Sequence, residues 1–263
     1  MTLLPEAPPA RAVVSPDGLR IATYEFGDPA APTVIAVHGF ASSALLNWHA
    51  AGWTRDLTRA GFHVIAIDQR GHGHSDKPHD SGAYSMEALV GDVLAVIDTY
   101  LVTDAAYLGY SLGARVGWQA SFDLPHLVSR AVLGGIPDGD PLTRFQVDQA
   151  KAFLTDGTPV EDTLTATYLT MAAGIPGNDL TALVSLVEGM RGGVQPGAHN
   201  APTQPVLLAT GSDDSILPAS RALADLAPNA SFLEIPDRAH FNAPTSRIFR
   251  DAAVQFLASA LVE

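Results

Sequence analysis

The chain has no cysteine. That excludes disulfides, thiolate-ligated metal and a cysteine nucleophile together. Positive charge is scarce as well: 15 Lys and Arg stand against 28 Asp and Glu, a formal net charge of −13. A protein that grips phosphates needs clustered Lys and Arg, so a nucleic-acid surface is not expected. No long run of like charges occurs either. No apolar run is long enough to span a bilayer. The first residues, MTLLPEAPPARAVV, lack a basic head followed by an apolar stretch, so no secretory leader is expected. These absences point to a soluble, acidic, cytoplasmic protein whose partner is a small molecule, with neither nucleic acid nor membrane involved. They leave the oligomeric state open.

What remains is a chain of 263 residues, 47% hydrophobic and 16% charged. It can bury a sizeable core and is not disordered. Short runs rich in Val, Ile, Leu and Ala recur at Thr33–Val37, His63–Ile67, Ala106–Leu108, Arg130–Leu133, Val206–Ala209 and Ser231–Ile235. Most lack polar alternation, as strands covered on both faces do. Helical patterns such as Met86–Tyr100 and Leu112–Phe122 lie between them. Strand alternating with helix predicts an α/β fold, a doubly wound, mostly parallel sheet. Ala12–Phe26 reads as an antiparallel hairpin turning at Pro16-Asp17-Gly18. The rhythm breaks once. Between Gly134 and Val206, about 70 residues hold no strand pattern but three helical ones, Leu142–Leu154, Glu161–Ala172 and Leu180–Met190. The reading is a core of 1–137 and 205–263 with a small helical lid, 138–204, inserted over the sheet. Helices that merely thicken the core are the competing reading.

The strongest chemical signal is Gly109-Tyr110-Ser111-Leu112-Gly113, after a strand and opening a helix. A serine on so sharp a turn sits in a strained backbone, and only very small residues fit two positions to either side. The helix N-terminus favours negative charge developing at the same spot. Serine needs a base. His240 follows the last predicted strand and precedes the C-terminal helix Thr245–Leu261, where catalytic groups of open α/β sheets gather. The acid belongs after Val206–Ala209, where Asp213 and Asp214 stand together; one of the pair can serve the histidine and the other shape the turn or cap the next helix. Two backbone N–H groups should receive an oxyanion, that of Leu112 at the helix start and that of Phe40 in His38-Gly39-Phe40. His72 and His74, two apart between glycines, could hold a metal only with a third ligand; the stretch reads as a structural turn, and no metal is expected. Trp48 and Trp53, in a helix after the Phe40 loop, read as packing residues. Phe145, Phe153, Tyr168 and Met171 are candidates to line an acyl pocket.

Together these motifs resemble the α/β-hydrolase superfamily over nearly the whole chain. The resemblance rests on His38-Gly39-Phe40, Asp68-Gln69-Arg70-Gly71-His72-Gly73-His74-Ser75, Gly109-Tyr110-Ser111-Leu112-Gly113, Gly211-Ser212-Asp213-Asp214 with Pro218, and Arg238-Ala239-His240. It implies Asp214 as the acid, a lid after the sixth strand and no cofactor. It names machinery and not substrate. Haloalkane dehalogenases and epoxide hydrolases of this fold carry Asp where this chain has Ser111, which disfavours both. Ring-cleavage C–C hydrolases often read S-M-G-G, and here the residues are Ser111-Leu112-Gly113-Ala114. The expectation is therefore a serine hydrolase that cleaves a small or medium apolar carboxylic ester through an acyl-enzyme. A lactonase or C–C hydrolase with the same triad, a cofactor-free oxygenase or perhydrolase, and a non-catalytic ligand receptor are the alternatives.

Overall fold

A run such as Val34-Ile35-Ala36-Val37 offers apolar side chains to both faces of a pleated strand, so it is stable only where helices cover both. That is where such runs lie in the computed structural model, which describes residues 6–140 and 142–259. The chain opens with the antiparallel hairpin of β1 (Arg11–Val14) and β2 (Arg20–Phe26), turned by Gly18 at φ 87°. Strands and helices then alternate through β3 (Thr33–Val37), α1 (Trp53–Arg59), β4 (His63–Ile67), α2 (Met86–Thr99), β5 (Ala105–Tyr110), α3 (Leu112–Asp123) and β6 (Val128–Gly134). Three helices follow, α4 (Val147–Asp156), α5 (Thr163–Ala173) and α6 (Leu180–Met190). The chain then returns through β7 (Val206–Gly211), α7 (Leu217–Leu226), β8 (Ala230–Ile235) and α8 (Arg247–Ala258).

The strands form one sheet in the order β1-β2-β4-β3-β5-β6-β7-β8. Pairing is antiparallel from β1 to β2 and from β2 to β4, and parallel thereafter. Alternate residues feed opposite faces. Ile35 and Val37 pack with Val93 of α2, Val116 of α3 and Leu223 of α7, while Val34 and Ala36 pack with Leu57 of α1 and Phe249 of α8. Trp48 and Trp53 are buried in the second cluster.

Several boundaries differ from the sequence reading. β5 runs on to Tyr110, so Ser111 follows the strand directly. α4 begins at Val147 and not at Leu142, because Leu142 sits at φ 49°, where a right-handed helix cannot start. Trp48 and Trp53 belong to two short pieces, a wide turn at Leu45–His49 and α1, separated by Gly52 at φ 84°. α8 starts at Arg247, after Ser246 accepts the Phe249 N–H, and the expected end at Leu261 lies outside the described residues. Among the described residues no helix is long and apolar enough to cross a membrane.

The helices between β6 and β7 divide their apolar surface. Leu186 and Met190 of α6 join the main core. Val147, Ala150, Leu169, Val184 and Val187 form a cluster of their own with Phe145. The segment therefore thickens the core and also carries a second, smaller one.

Candidate active site

β5 delivers the chain to Ser111, whose backbone is forced to φ 52°, ψ −112°. Such a conformation costs a non-glycine residue about 1–3 kcal/mol and persists only where the surroundings dictate it. Here they do. The Ser111 N–H donates to the Gly134 carbonyl at 2.8 Å, and its own carbonyl accepts the Arg115 N–H at 3.0 Å. A Cβ on Gly109 would lie 2.4 Å from the Gly113 carbonyl oxygen, and one on Gly113 would lie 2.1 Å from that of Val37. Both glycines are required by contact.

His240, in the loop after β8, reaches this point from the far end of the sheet. Its Nε2 is 2.9 Å from Ser111 Oγ and its Nδ1 is 2.7 Å from Asp214 Oδ2. A carboxylate only accepts, so the proton sits on Nδ1 and the Nε2 lone pair faces the serine hydroxyl. Asp214 is buried, and its Oδ1 also accepts the Ile216 N–H at 3.2 Å. Asp213 is exposed and accepts the Ser212 hydroxyl. The expected division of labour between the two aspartates is corrected: Asp214 both holds the imidazole and shapes the turn into α7, because its two oxygens point in different directions.

The loop after β3 lies against the serine. A Cβ on Gly39 would be 3.3 Å from Ser111 Cβ. His38 Nε2 faces the Gln69 N–H at 3.1 Å, so it must accept. Nδ1 then carries the proton and donates to the Gly39 carbonyl at 2.7 Å. In a trans peptide the C=O and the following N–H point in opposite directions, so fixing the Gly39 carbonyl aims the Phe40 N–H away from His38. Leu112 stands at the first position of α3, where no intrahelical acceptor exists. Among the described residues neither the Phe40 nor the Leu112 N–H donates to a protein acceptor.

Phe40, Ser111, Leu112 and His240 open onto a cavity of about 640 Å³ with mostly apolar walls. Of the four expected pocket residues, Tyr168 and Met171 of α5 line it. Phe145 does not: it is buried behind Tyr168, ring centroids 6.3 Å apart, in the cluster of the inserted helices. Phe153 does not either, since α4 turns it to solvent at 41% exposure. Leu142, Leu164, Leu186 and Phe241 take their places in the wall.

Further residues had no sequence signal. Tyr110 donates its hydroxyl to the His240 carbonyl at 2.5 Å, a partner 130 positions away. Burial, and then the nearby Asp214 charge, push that hydroxyl well above its ordinary pKa, so it remains a donor. Arg115 is buried beside the cavity and donates to the carbonyls of Pro137 and Gly139, fixing the start of the inserted segment. Burial lowers its pKa to about 10 against the pull of Asp140 and Asp138. His72 and His74 do not converge. His72 is buried between the Arg70 carbonyl and the Ala41 N–H, whereas His74 is mostly exposed beside the Tyr24 hydroxyl. Among the described residues no three His, Asp or Glu side chains are placed to hold a metal.

The comparisons with known proteins agree with this geometry at the level of the fold. A sequence profile of the α/β hydrolase fold matches residues 32–160. Epoxide hydrolase A of Mycobacterium tuberculosis is 34% identical over 148 residues, 55% of this chain and 43% of that protein. The chain spans less than half the length of the curated relatives it matches. The crystal structure of an enol-lactonase from Burkholderia xenovorans LB400 superposes with a TM-score of 0.75 at 25% identity, covering 95% of this chain and 99% of that one. Epoxide hydrolase A from Mycobacterium thermoresistibile gives a TM-score of 0.73 at 21% identity over 95% and 98% of the two chains. The chain has the α/β-hydrolase fold.

Proposed function

We propose that this protein is a serine hydrolase that cleaves small or medium apolar carboxylic esters through an acyl-enzyme. The observation that carries the reading is the unbroken hydrogen-bonded chain Asp214–His240–Ser111 opening onto an apolar cavity. His240 Nε2 takes the Ser111 proton as Oγ adds to the ester carbonyl. The Phe40 and Leu112 N–H groups receive the oxygen as it gains charge. Collapse of the tetrahedral intermediate expels the alcohol, which takes the proton from His240. Water, deprotonated by His240, then adds to the acyl-Ser111 ester and releases the acid. Asp214 keeps the imidazole in the Nδ1–H tautomer and stabilises its charged form.

The relatives named as epoxide hydrolases do not redirect this reading, because the chemistry turns on the nucleophile. A carboxylate that opens an epoxide leaves an ester, which water can hydrolyse. A serine that opened one would leave an ether, which this machinery has no means to cleave. A lactone is a cyclic ester and passes through the same steps, so lactone opening remains within the proposal, and the neighbour named as an enol-lactonase favours including it. The helices between β6 and β7, residues 138–204, act as the lid that shapes the acyl pocket through Tyr168 and Met171.

The test is turnover of p-nitrophenyl esters of graded chain length, with a lactone series beside it, by wild type and Ser111→Ala. Loss of at least about 10³-fold in kcat with the fold intact is expected. Labelling by a fluorophosphonate, located at Ser111 by mass spectrometry, should accompany it. Activity retained within a few-fold in Ser111→Ala overturns the proposal.

A further inference from the structure

The loop that carries Phe40 is held at three consecutive peptide planes by three side chains from different parts of the chain. His38 fixes the Gly39 carbonyl. His72, in the turn after β4, accepts the Ala41 N–H at Nε2, 3.0 Å. Asn178, in the connection between α5 and α6, donates Nδ2 to the Ala41 carbonyl at 3.0 Å. Between the last two contacts Ala41 is fully buried at φ 55°, a left-handed conformation that an alanine does not adopt unless it is held there. The Asn178 amide does not stop at the loop. It also donates to the Ala172 carbonyl, in the last turn of α5, at 3.0 Å. Ala172 and Ala41 pack together with Leu183 of α6, and Met171, next in the chain, lines the cavity. One side chain thus bolts the pocket-forming helix to the loop that aims an N–H at the reacting carbonyl.

We propose that Asn178 is a positioning residue: by holding Ala41 in its left-handed conformation from the inserted helices, it sets the direction of the Phe40 N–H and makes those helices part of the rate-determining machinery. The inference rests on the serine acyl-transfer reading above. It requires Asn178 to act on the transition state, whose oxygen is charged, more than on the neutral ground-state ester. Met171 and Tyr168 touch the acyl chain in both states. Asn178 touches neither state and acts through the loop.

The experiment compares wild type with Asn178→Ala, Asn178→Asp, which keeps the size but loses both donors, and the double variant Ala41→Gly/Asn178→Ala. Readouts are kcat and KM for p-nitrophenyl butyrate and the inhibition constant of an alkylboronic acid, which forms a charged tetrahedral adduct on Ser111. A missing oxyanion donor costs about 10²–10³-fold, so a misaimed one should lower kcat by about 10–100-fold in both single variants. KM should stay within about threefold, and boronate affinity should weaken in step with kcat. Glycine occupies the left-handed region freely and does nothing for α5, so the double variant should regain about threefold or more in kcat. A folded Asn178→Asp or Asn178→Ala with kcat and boronate affinity within twofold of wild type overturns the proposal. So does a loss confined to KM, or a loss that Ala41→Gly leaves unrelieved, since a frayed α5 would behave that way. If Ser111→Ala retains activity, the acyl-transfer reading fails whatever Asn178 does. If Ser111→Ala is silent and Asn178→Ala is not impaired, this inference alone fails.

Discussion

At residue scale the site depends on which atoms accept and which donate. The Asp214 carboxylate can only accept, which places the His240 proton on Nδ1 and frees Nε2 for Ser111. Asparagine at position 214 has a similar shape but a donor at one end. It can keep the Ile216 N–H contact on its oxygen and then presents an NH₂ group to Nδ1, which reverses the tautomer. Asp214→Asn should therefore fold normally and lose up to about 10⁴-fold in kcat, the loss that a reversed tautomer causes in a Ser-His-Asp triad. Asp213 is exposed, and its carboxylate accepts the neighbouring Ser212 hydroxyl. Asp213→Asn should shift stability by no more than about 0.5 kcal/mol and leave kcat within a few-fold. Steady-state kinetics and urea unfolding of the two variants check both statements. Reversal of the two effects would move the acid to Asp213.

At the scale of elements, the glycines and the apolar runs were legible because each is a local consequence of geometry, and the order of Ser, Asp and His because it resembles that of the α/β hydrolases. Gly109 and Gly113 must be glycine where a strand turns sharply into a helix, and a strand buried on both faces must be apolar throughout. What was not legible was the direction in which a helical face points. Phe145, Phe153, Tyr168 and Met171 are all large and apolar in the inserted segment, and only Tyr168 and Met171 face the cavity. Phase along α4 is set by its packing on α6, not by its own sequence, and Leu142 at φ 49° delays its start. Tyr110 and Asn178 were illegible for a different reason: each acts on a partner more than a hundred residues away. The facing of these side chains has a measurable consequence. Met171→Ala should widen the cavity and raise the kcat/KM ratio of longer to shorter acyl chains by about tenfold or more, the scale of one methylene in a pocket. Phe145→Ala should leave that ratio within about twofold and cost about 3–5 kcal/mol of stability. Phe153→Ala should change stability by no more than about 0.5 kcal/mol. A ratio that responds to Phe153 and not to Met171 would reverse the assignment of the α4 and α5 faces.

For the molecule as a whole, the turns after β3 and β4 are fastened to each other by two imidazoles with no access to water. His38 and His72 are both fully buried, their rings 4.9 Å apart, and each accepts a backbone N–H on Nε2. Burial is the first cause that lowers the pKa of each. For His38 the attraction of Asp68 opposes it without reversing it; for His72 the repulsion of His38 adds to it, and the hydrogen bond to the Arg70 carbonyl opposes it without reversing it. Protonation would also set an Nε2–H against another N–H. In the unfolded chain both rings titrate at about 6.5. Above that value neither state is protonated there and the pair contributes no pH dependence. As pH falls below about 6.5 the unfolded chain takes up two protons that the folded chain refuses, so stability falls, and it keeps falling towards the depressed folded values. The slope from this pair is at most about 1.4 kcal/mol per pH unit per histidine. The carboxylates held low by arginine, Asp17 beside Arg70 and Asp56 between Arg55 and Arg250, lose their contribution only at lower pH, as they are protonated. The histidine effect therefore precedes theirs, setting in between about pH 6.5 and pH 5, while Asp92, whose carboxyl burial pushes up, takes its proton earlier than it would in the unfolded chain and so works against the decline. Urea unfolding across that window should show stability dropping with acid. His72→Gln, which keeps an acceptor for the Ala41 N–H but cannot titrate, should be less stable at pH 7.5 yet show a visibly shallower decline. An equally steep decline in His72→Gln would mean that the acid sensitivity of the fold arises elsewhere.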